Sequence, residues 1–222
     1  MSGEDTRARL AGHGGPYALF MRYRAVGFDL LTALLDTWSV WASVAGDRDL
    51  GMRWHGASQA LLRGRPYRPF EDIVRESATA VGVSAAKAEE MLDRWGDFQP
   101  WPDTPSTLAR LEGQTRFIVT NCSMELGNRA ALAAGTFELV MTAEEAGAYK
   151  PDPRPYRAAL AELALEPSDV LFVAGSAHDV SGASRVGMDV YWANRGNVAA
   201  PTDATAIRIE PDLRGLAELM EA

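Results

Sequence analysis

Four short apolar runs punctuate the chain, and each ends on a small or polar residue. Ala25-Val26-Gly27-Phe28 stops at Asp29, Phe117-Ile118-Val119 at Thr120-Asn121, Val170-Leu171-Phe172-Val173 at Ala174-Gly175, and Val190-Tyr191-Trp192 at Ala193-Asn194. Continuous apolar runs suit strands buried on both faces, as in a parallel sheet. Helical patterns lie between them. Thr104-Pro105 reads as a cap with proline at the first helical position, followed by Leu108 and Leu111 on one face and Gly113 as the stop. Asp152-Pro153 repeats that entry ahead of Tyr156, Leu160 and Leu163. Strand, helix, strand in succession predicts an α/β fold with a Rossmann-like parallel sheet and right-handed crossovers.

Residues 39–101 break the rhythm. Phe70, Ile73, Val74, Ser77 and Val81 fall at helical spacing, and Ser84 caps a second run through Met91, Leu92 and Trp95. This stretch reads as a helical cap inserted after the first strand, with Pro100-Trp101-Pro102 marking the return. The expected organisation is a leader at 1–22, a core at 23–38 and 102–222, and a cap at 39–101.

Composition narrows the class. The 222 residues carry a net charge of -8, which opposes nucleic acid and anionic membrane surfaces. No apolar run approaches the ~20 residues needed to cross a bilayer, and the N-terminal stretch lacks a signal core. The single cysteine, Cys122, precludes an internal disulfide and fits a reducing, cytoplasmic setting. It reads as a small packed residue, because no histidine is expected beside it. His13, His55 and His178 lack metal-ligand spacing. The six tryptophans read as packing for cap, hinge and core, with Trp38, Trp54, Tyr67 or Phe70 as alternative lining for a pocket.

Ligands of open parallel sheets bind beyond the carboxyl ends of the strands. Those ends bring Asp29, Thr120-Asn121 and the segment from Gly175 to Asp179, with Lys150 on a further connection. Such a set supports nucleophilic catalysis by a carboxylate: Asp29 attacks, Lys150 offsets developing charge, and Asp179 orients Lys150 or a water. Taken singly, each has a plain alternative, namely a turn cap, a strand-end turn, a solvated lysine or a helix N-terminal acid.

These segments resemble the motifs of the haloacid dehalogenase superfamily, in its L-2-haloacid dehalogenase branch. The resemblance rests on Phe28 to Asp36, on Phe117 to Ser123, on Tyr149-Lys150-Pro151-Asp152 with Tyr156, on Val170 to Asp179, and on Trp192-Ala193-Asn194-Arg195-Gly196-Asn197. It implies a Rossmann-like core with a helical cap, a homodimer, no metal and no cofactor. Magnesium-dependent phosphatases of the superfamily place a second aspartate two residues after the nucleophile, where this chain has Leu31, which can donate no proton. The chain departs from the dehalogenase pattern at Thr32, Ala33, Ala174, Ser176 and His178.

The expected reaction is hydrolysis of a small 2-substituted carboxylic acid, a 2-haloacid above all, by way of an ester on Asp29. Backbone N–H groups near Leu30, Leu31, Thr120 or Asn121 are expected to meet the substrate carboxylate. Arg53 and Asn121 are expected to receive the leaving halide. Thr120 and Lys150 are expected to stabilise the oxyanion, Tyr156 to bond near Lys150, and Ser176 to position water. Ring opening of azetidine-2-carboxylate, a magnesium-dependent phosphatase and a non-catalytic binding protein on the same scaffold stand as alternatives.

Overall fold

The computed structural model describes residues 22–64 and 66–221. The expected leader, residues 1–22, lies outside the described residues except for Arg22. Six parallel strands form the main sheet: β1 (Ala25–Phe28), β4 (Thr115–Thr120), β5 (Leu139–Thr142), β6 (Val170–Ala174), β7 (Asp189–Ala193) and β8 (Arg208–Glu210). Their spatial order is β5-β4-β1-β6-β7-β8. The chain therefore builds outward from β1 on one side and then returns to build on the other. This reversal opens a crevice beyond the ends of β1, β4 and β6.

Alternate strand residues feed opposite faces of the sheet, as the period of two requires. Val26, Phe28, Ile118, Leu171, Val173 and Tyr191 join one buried cluster. Ala25, Phe117, Val119, Val170, Phe172 and Trp192 join the other. Gly27 sits in register with Phe117 on one side and Phe172 on the other. A Cβ there would lie 2.6 Å from the Phe117 ring and 2.9 Å from that of Phe172, so only glycine lets the two aromatic rings close over β1.

The cap comprises α1 (Thr37–Ala45), α2 (Arg48–Leu62), α3 (Phe70–Ala80) and α4 (Ala85–Asp93). Asp36, Asp47 and Ser84 cap α1, α2 and α4 through their side chains. Aromatic packing holds the bundle together. Trp41 meets Trp54 edge-to-face at 4.8 Å, and Trp95 meets Phe70 at 5.3 Å and Phe98 at 5.0 Å. The Trp54 indole donates to Val74 O and Ser77 Oγ, each at 3.1 Å. Trp54 and Phe70 are thus core residues of the cap, and Trp38 packs against Trp101.

The remaining helices are α5 (Thr104–Arg110), α6 (Met124–Ala134), α7 (Ala143–Ala146), α8 (Pro153–Glu162), α9 (Ala177–Val186) and α10 (Leu216–Glu221). Cap and core are joined by a two-residue antiparallel pair, β2 (Leu35–Asp36) with β3 (Gln99–Pro100). Thr104 does not cap α5. Its hydroxyl donates to Leu34 O at 2.8 Å, and Asp103 occupies the capping position.

Candidate active site

Asp29 leaves the end of β1 and opens a single wide turn of π-helical type, Leu30–Leu34. Its Oδ2 accepts three hydrogen bonds: from Thr32 N at 3.0 Å, Ala33 N at 3.1 Å and Thr32 Oγ1 at 2.8 Å. Its Oδ1 accepts from Lys150 Nζ at 2.8 Å. The turn is braced from behind. Trp101 Nε1 donates to Thr32 O at 3.1 Å, Arg195 reaches Ala33 O at 2.9 Å, and Trp101 N donates to Leu34 O at 3.0 Å. Gly175 lies against the other side, where a Cβ would fall 2.2 Å from Thr32 Oγ1 and 2.6 Å from Asp29 Oδ2.

Lys150 is delivered by the connection after α7. The Asn121 carboxamide bridges the Lys150 backbone, accepting from its N–H at 2.7 Å and donating to its carbonyl at 3.2 Å. The ammonium then sits between two carboxylates, at 2.8 Å from Asp29 Oδ1 and 2.8 Å from Asp179 Oδ1. Asp179 occupies the first turn of α9. Its Oδ2 accepts from Ser176 N at 3.1 Å and Ser176 Oγ at 2.8 Å, while Ser176 Oγ accepts from Asp179 N. This reciprocal cap leaves Oδ1 free to face Lys150.

All three ionisable groups are buried. Burial opposes the charge on Asp29, but the Lys150 ammonium and the hydrogen bonds from Lys150 and Thr32 outweigh it, so its pKa falls below the ordinary value. Burial likewise opposes the charge on Lys150, yet its two carboxylate neighbours hold its pKa up. Asp179 goes the other way: burial, with the charge of Asp29 behind it, raises its pKa despite Lys150. Of the two acids, Asp29 is the better ionised.

The trio floors a cavity of about 290 Å³ between core and cap. Leu31, Thr32, Asn121, Ser176 and His178 complete the core wall, and His55, Gly56, Gln59, Leu62 and Arg63 come from α2 and its end. Burial pushes the His55 imidazole down to about 4, leaving it neutral above the floor.

Among the residues expected at the site, Asp29, Lys150, Asp179, Asn121, Leu31 and Ser176 line this cavity. Four do not. Arg53 is exposed on α2 and outside the lining, because the helix turns a different stripe inward. Thr120 is fully buried with its hydroxyl directed at Cys122 Sγ, 3.5 Å away, so Thr32 supplies the hydroxyl beside Asp29. Leu30 is core. Tyr156 is buried beside Asp179 with its ring edge-on to Phe172 at 5.2 Å, and its hydroxyl lacks a well-formed hydrogen bond. Asn121, expected to receive a halide, has its carboxamide engaged by the Lys150 backbone. The sequence reading missed His55, Gln59 and Arg63. The spacing of four between His55 and Gln59 on α2, continued to Arg63 at its C-terminal cap, was the available signal. Trp38, Trp54, Tyr67 and Phe70 do not line the cavity. Cys122 is buried with its thiol pKa pushed up to about 12, which suits packing.

The side chains do not fit a magnesium ion. Asp29 and Asp179 both bond one ammonium, and the close approach of Gly175 leaves no room for an added carboxylate. Among the described residues, no group of three or more His, Cys, Asp or Glu is placed to hold a metal.

A parallel core with an inserted helical cap, and a carboxylate paired to a lysine at the central strand end, define the capped carboxylate-nucleophile class of α/β hydrolases. A sequence model of haloacid dehalogenase-like hydrolases matches residues 38–187, more than half of the chain, and the chain belongs to that family. It is 35% identical over 113 residues to (S)-2-haloacid dehalogenase 1 of Pseudomonas sp. (strain CBS-3), an alignment covering 48% of this chain and 49% of that one. The chain thus spans about half the length of that curated relative. It is 28% identical over 217 residues to a phosphoserine phosphatase of Thermus thermophilus, covering 93% of this chain and 73% of that one. The structure of L-2-haloacid dehalogenase from Xanthobacter autotrophicus superposes with a TM-score of 0.79 at 22% identity, covering 89% of this chain and 98% of that one, a likeness of fold. No helix among the described residues is long and apolar enough to cross a membrane.

Proposed function

We propose that the protein hydrolyses a small 2-substituted carboxylic acid, with 2-haloacids as the leading substrates, through an ester on Asp29. The observation that carries this reading is the unequal treatment of the two Asp29 oxygens. Oδ2 is locked by three donors, whereas Oδ1 is held by the Lys150 ammonium alone, and Asp29 lines the cavity. Oδ1 is therefore the nucleophile. It bonds to C2 as the carbon–halogen bond breaks, and the halide leaves with the bonding pair. The held geometry supplies proximity, and the low pKa keeps the nucleophile ionised.

In the ester, Oδ2 becomes the carbonyl oxygen. Water adds to Cγ, and the negative charge that develops on Oδ2 meets Thr32 N, Ala33 N and the Thr32 hydroxyl, which already point at it. This role was expected of Thr120. Asp179, with its raised pKa, and Lys150 lie within reach of the water and the departing alkoxide. The Cγ–O bond to substrate breaks, the alkoxide takes a proton, and Asp29 is regenerated with one oxygen from water. The net change is water and a 2-haloacid to a 2-hydroxyacid, halide and a proton. The resemblance further supports a homodimer, and the single buried cysteine supports a reducing, cytoplasmic setting.

The test is halide release in the presence of a chelator, from racemic 2-chloropropionate and longer 2-chloroacids, beside ring opening of azetidine-2-carboxylate. Asp29→Asn should abolish turnover, and a single turnover in heavy-oxygen water should label Asp29. Turnover of phosphoesters only with magnesium would establish the phosphatase instead. Binding of these acids without any product would establish a non-catalytic protein.

A further inference from the structure

The cavity is larger than a three-carbon haloacid needs. A cavity of roughly 150 Å³ accommodates benzene, and 2-chloropropionate has the same number of non-hydrogen atoms as benzene. The 290 Å³ above Asp29 holds about twice that. Gln59 and Arg63 of the cap and His178 of the core are among the residues that line it.

Charge points the same way. Asp29, Asp179 and Lys150 are bonded to one another and together carry one net negative charge. His55 is neutral above about pH 4. Burial and the neighbouring Arg63 charge lower the His178 pKa, which disfavours the charged form of that ring too. Among the described residues, Arg63 is the lining cation with no carboxylate paired to it. A monoacid bound with C2 over Asp29 brings one carboxylate to the site, whereas a diacid brings a second that can pair with Arg63.

We propose that the site selects 2-substituted dicarboxylic acids, from 2-chlorosuccinate to homologues one or two carbons longer, with the distal carboxylate on the Arg63 guanidinium. A guanidinium matches a carboxylate with two parallel N–H donors. Gln59 and His178 flank that carboxylate and supply further donors. This inference rests on the proposed chemistry at Asp29 for turnover, but the recognition step stands independently of it.

Two measurements separate them. Calorimetric binding of the unreactive acids glutarate and butyrate reads recognition alone. Wild-type protein is expected to bind glutarate at least tenfold more tightly. Arg63→Gln should erase the difference, and Arg63→Lys, which keeps the charge, should restore part of it. Halide release from 2-chloroglutarate and 2-chlorobutyrate reads chemistry, with kcat/KM at least tenfold higher for the diacid in wild type and that ratio collapsing in Arg63→Gln. Equal binding of the two acids, or a preference unaltered by Arg63→Gln, overturns the inference. Glutarate preference without halide release from either substrate overturns the chemistry at Asp29 and leaves the recognition standing.

Discussion

Replacing Lys150 by methionine is the sharpest test of how the site is held. The ammonium lies 2.8 Å from each of two buried carboxylates, so its removal leaves Asp29 and Asp179 facing one another without a counter-charge. Breaking a buried pair by deleting one partner costs about 3–5 kcal/mol. For a chain of this size each kcal/mol lowers Tm by roughly 2–4 °C, which gives a fall of about 6–20 °C near neutral pH. The pH dependence carries the decisive sign. In the wild type the depressed Asp29 pKa contributes stability that is present above its unfolded value of ~3.9 and lost as pH falls through the lower folded value. The raised Lys150 pKa contributes stability present below ~10.4 and lost as pH rises through its higher folded value. Without Lys150, burial and mutual repulsion raise both acids, so stability is present below their unfolded values and lost as pH rises through the folded ones. The deficit relative to wild type should therefore shrink between pH 8 and pH 5, where a shared proton replaces the ammonium. Thermal melts of both proteins across that range, with halide release alongside, provide the assay. A deficit that is constant with pH, or a Tm change under 3 °C at pH 8, would refute the electrostatic account.

Arg195→Gln should lower Tm and reduce kcat more than it raises KM. The guanidinium forms a partly buried bidentate pair with Asp103, and it holds the Ala33 carbonyl behind the Asp29 turn. An unchanged kcat in a folded variant would remove it from the bracing of that turn. Gly175→Ala should reduce kcat/KM about 100-fold, as expected for a displacement on the order of 1 Å at the nucleophile, because its Cβ would collide with Thr32 and Asp29; a structure of the variant with the Asp29 hydrogen bonds intact would contradict this. His55 should contribute no ionisation to the kcat/KM profile between pH 5 and 8, since its pKa lies near 4, so His55→Gln should leave the acid limb where it is.

The parallel core and its inserted cap were legible because burial on both faces forces continuous apolar runs, and the cap because its apolar spacing changes to that of helices. Asp29 and Asp179 were legible for a related reason, since the segments that leave the strand ends of such a sheet converge at one edge, and Lys150 was legible as a polar residue on a connection that runs to the same edge. The short strand β5 and the edge strand β8 were not identified, because Leu139–Thr142 and Arg208–Glu210 carry too few buried residues to stand out from loop. The two-residue β2–β3 hinge is set by pairing across some sixty residues and leaves no local trace.

Sequence by itself determined the class of chemistry, since it fixes which residue types stand at the strand ends and that Leu31 brings no acid. Only the tertiary structure decided which atoms do what. Thr120 and Thr32 are both hydroxyl-bearing residues beside the nucleophile, and the wide turn after Asp29 selects Thr32 by folding its amide and hydroxyl back onto Oδ2. Arg53 and Arg63 are both exposed, and the placement of α2 and its C-terminal cap over the crevice puts Arg63 among the residues lining the cavity while Arg53 stays outside the lining. The rotation of α2 about its axis is settled by its own Trp54, which packs against Trp41 of α1 and donates to the Val74 carbonyl of α3, contacts between separate helices that no local pattern of residues encodes.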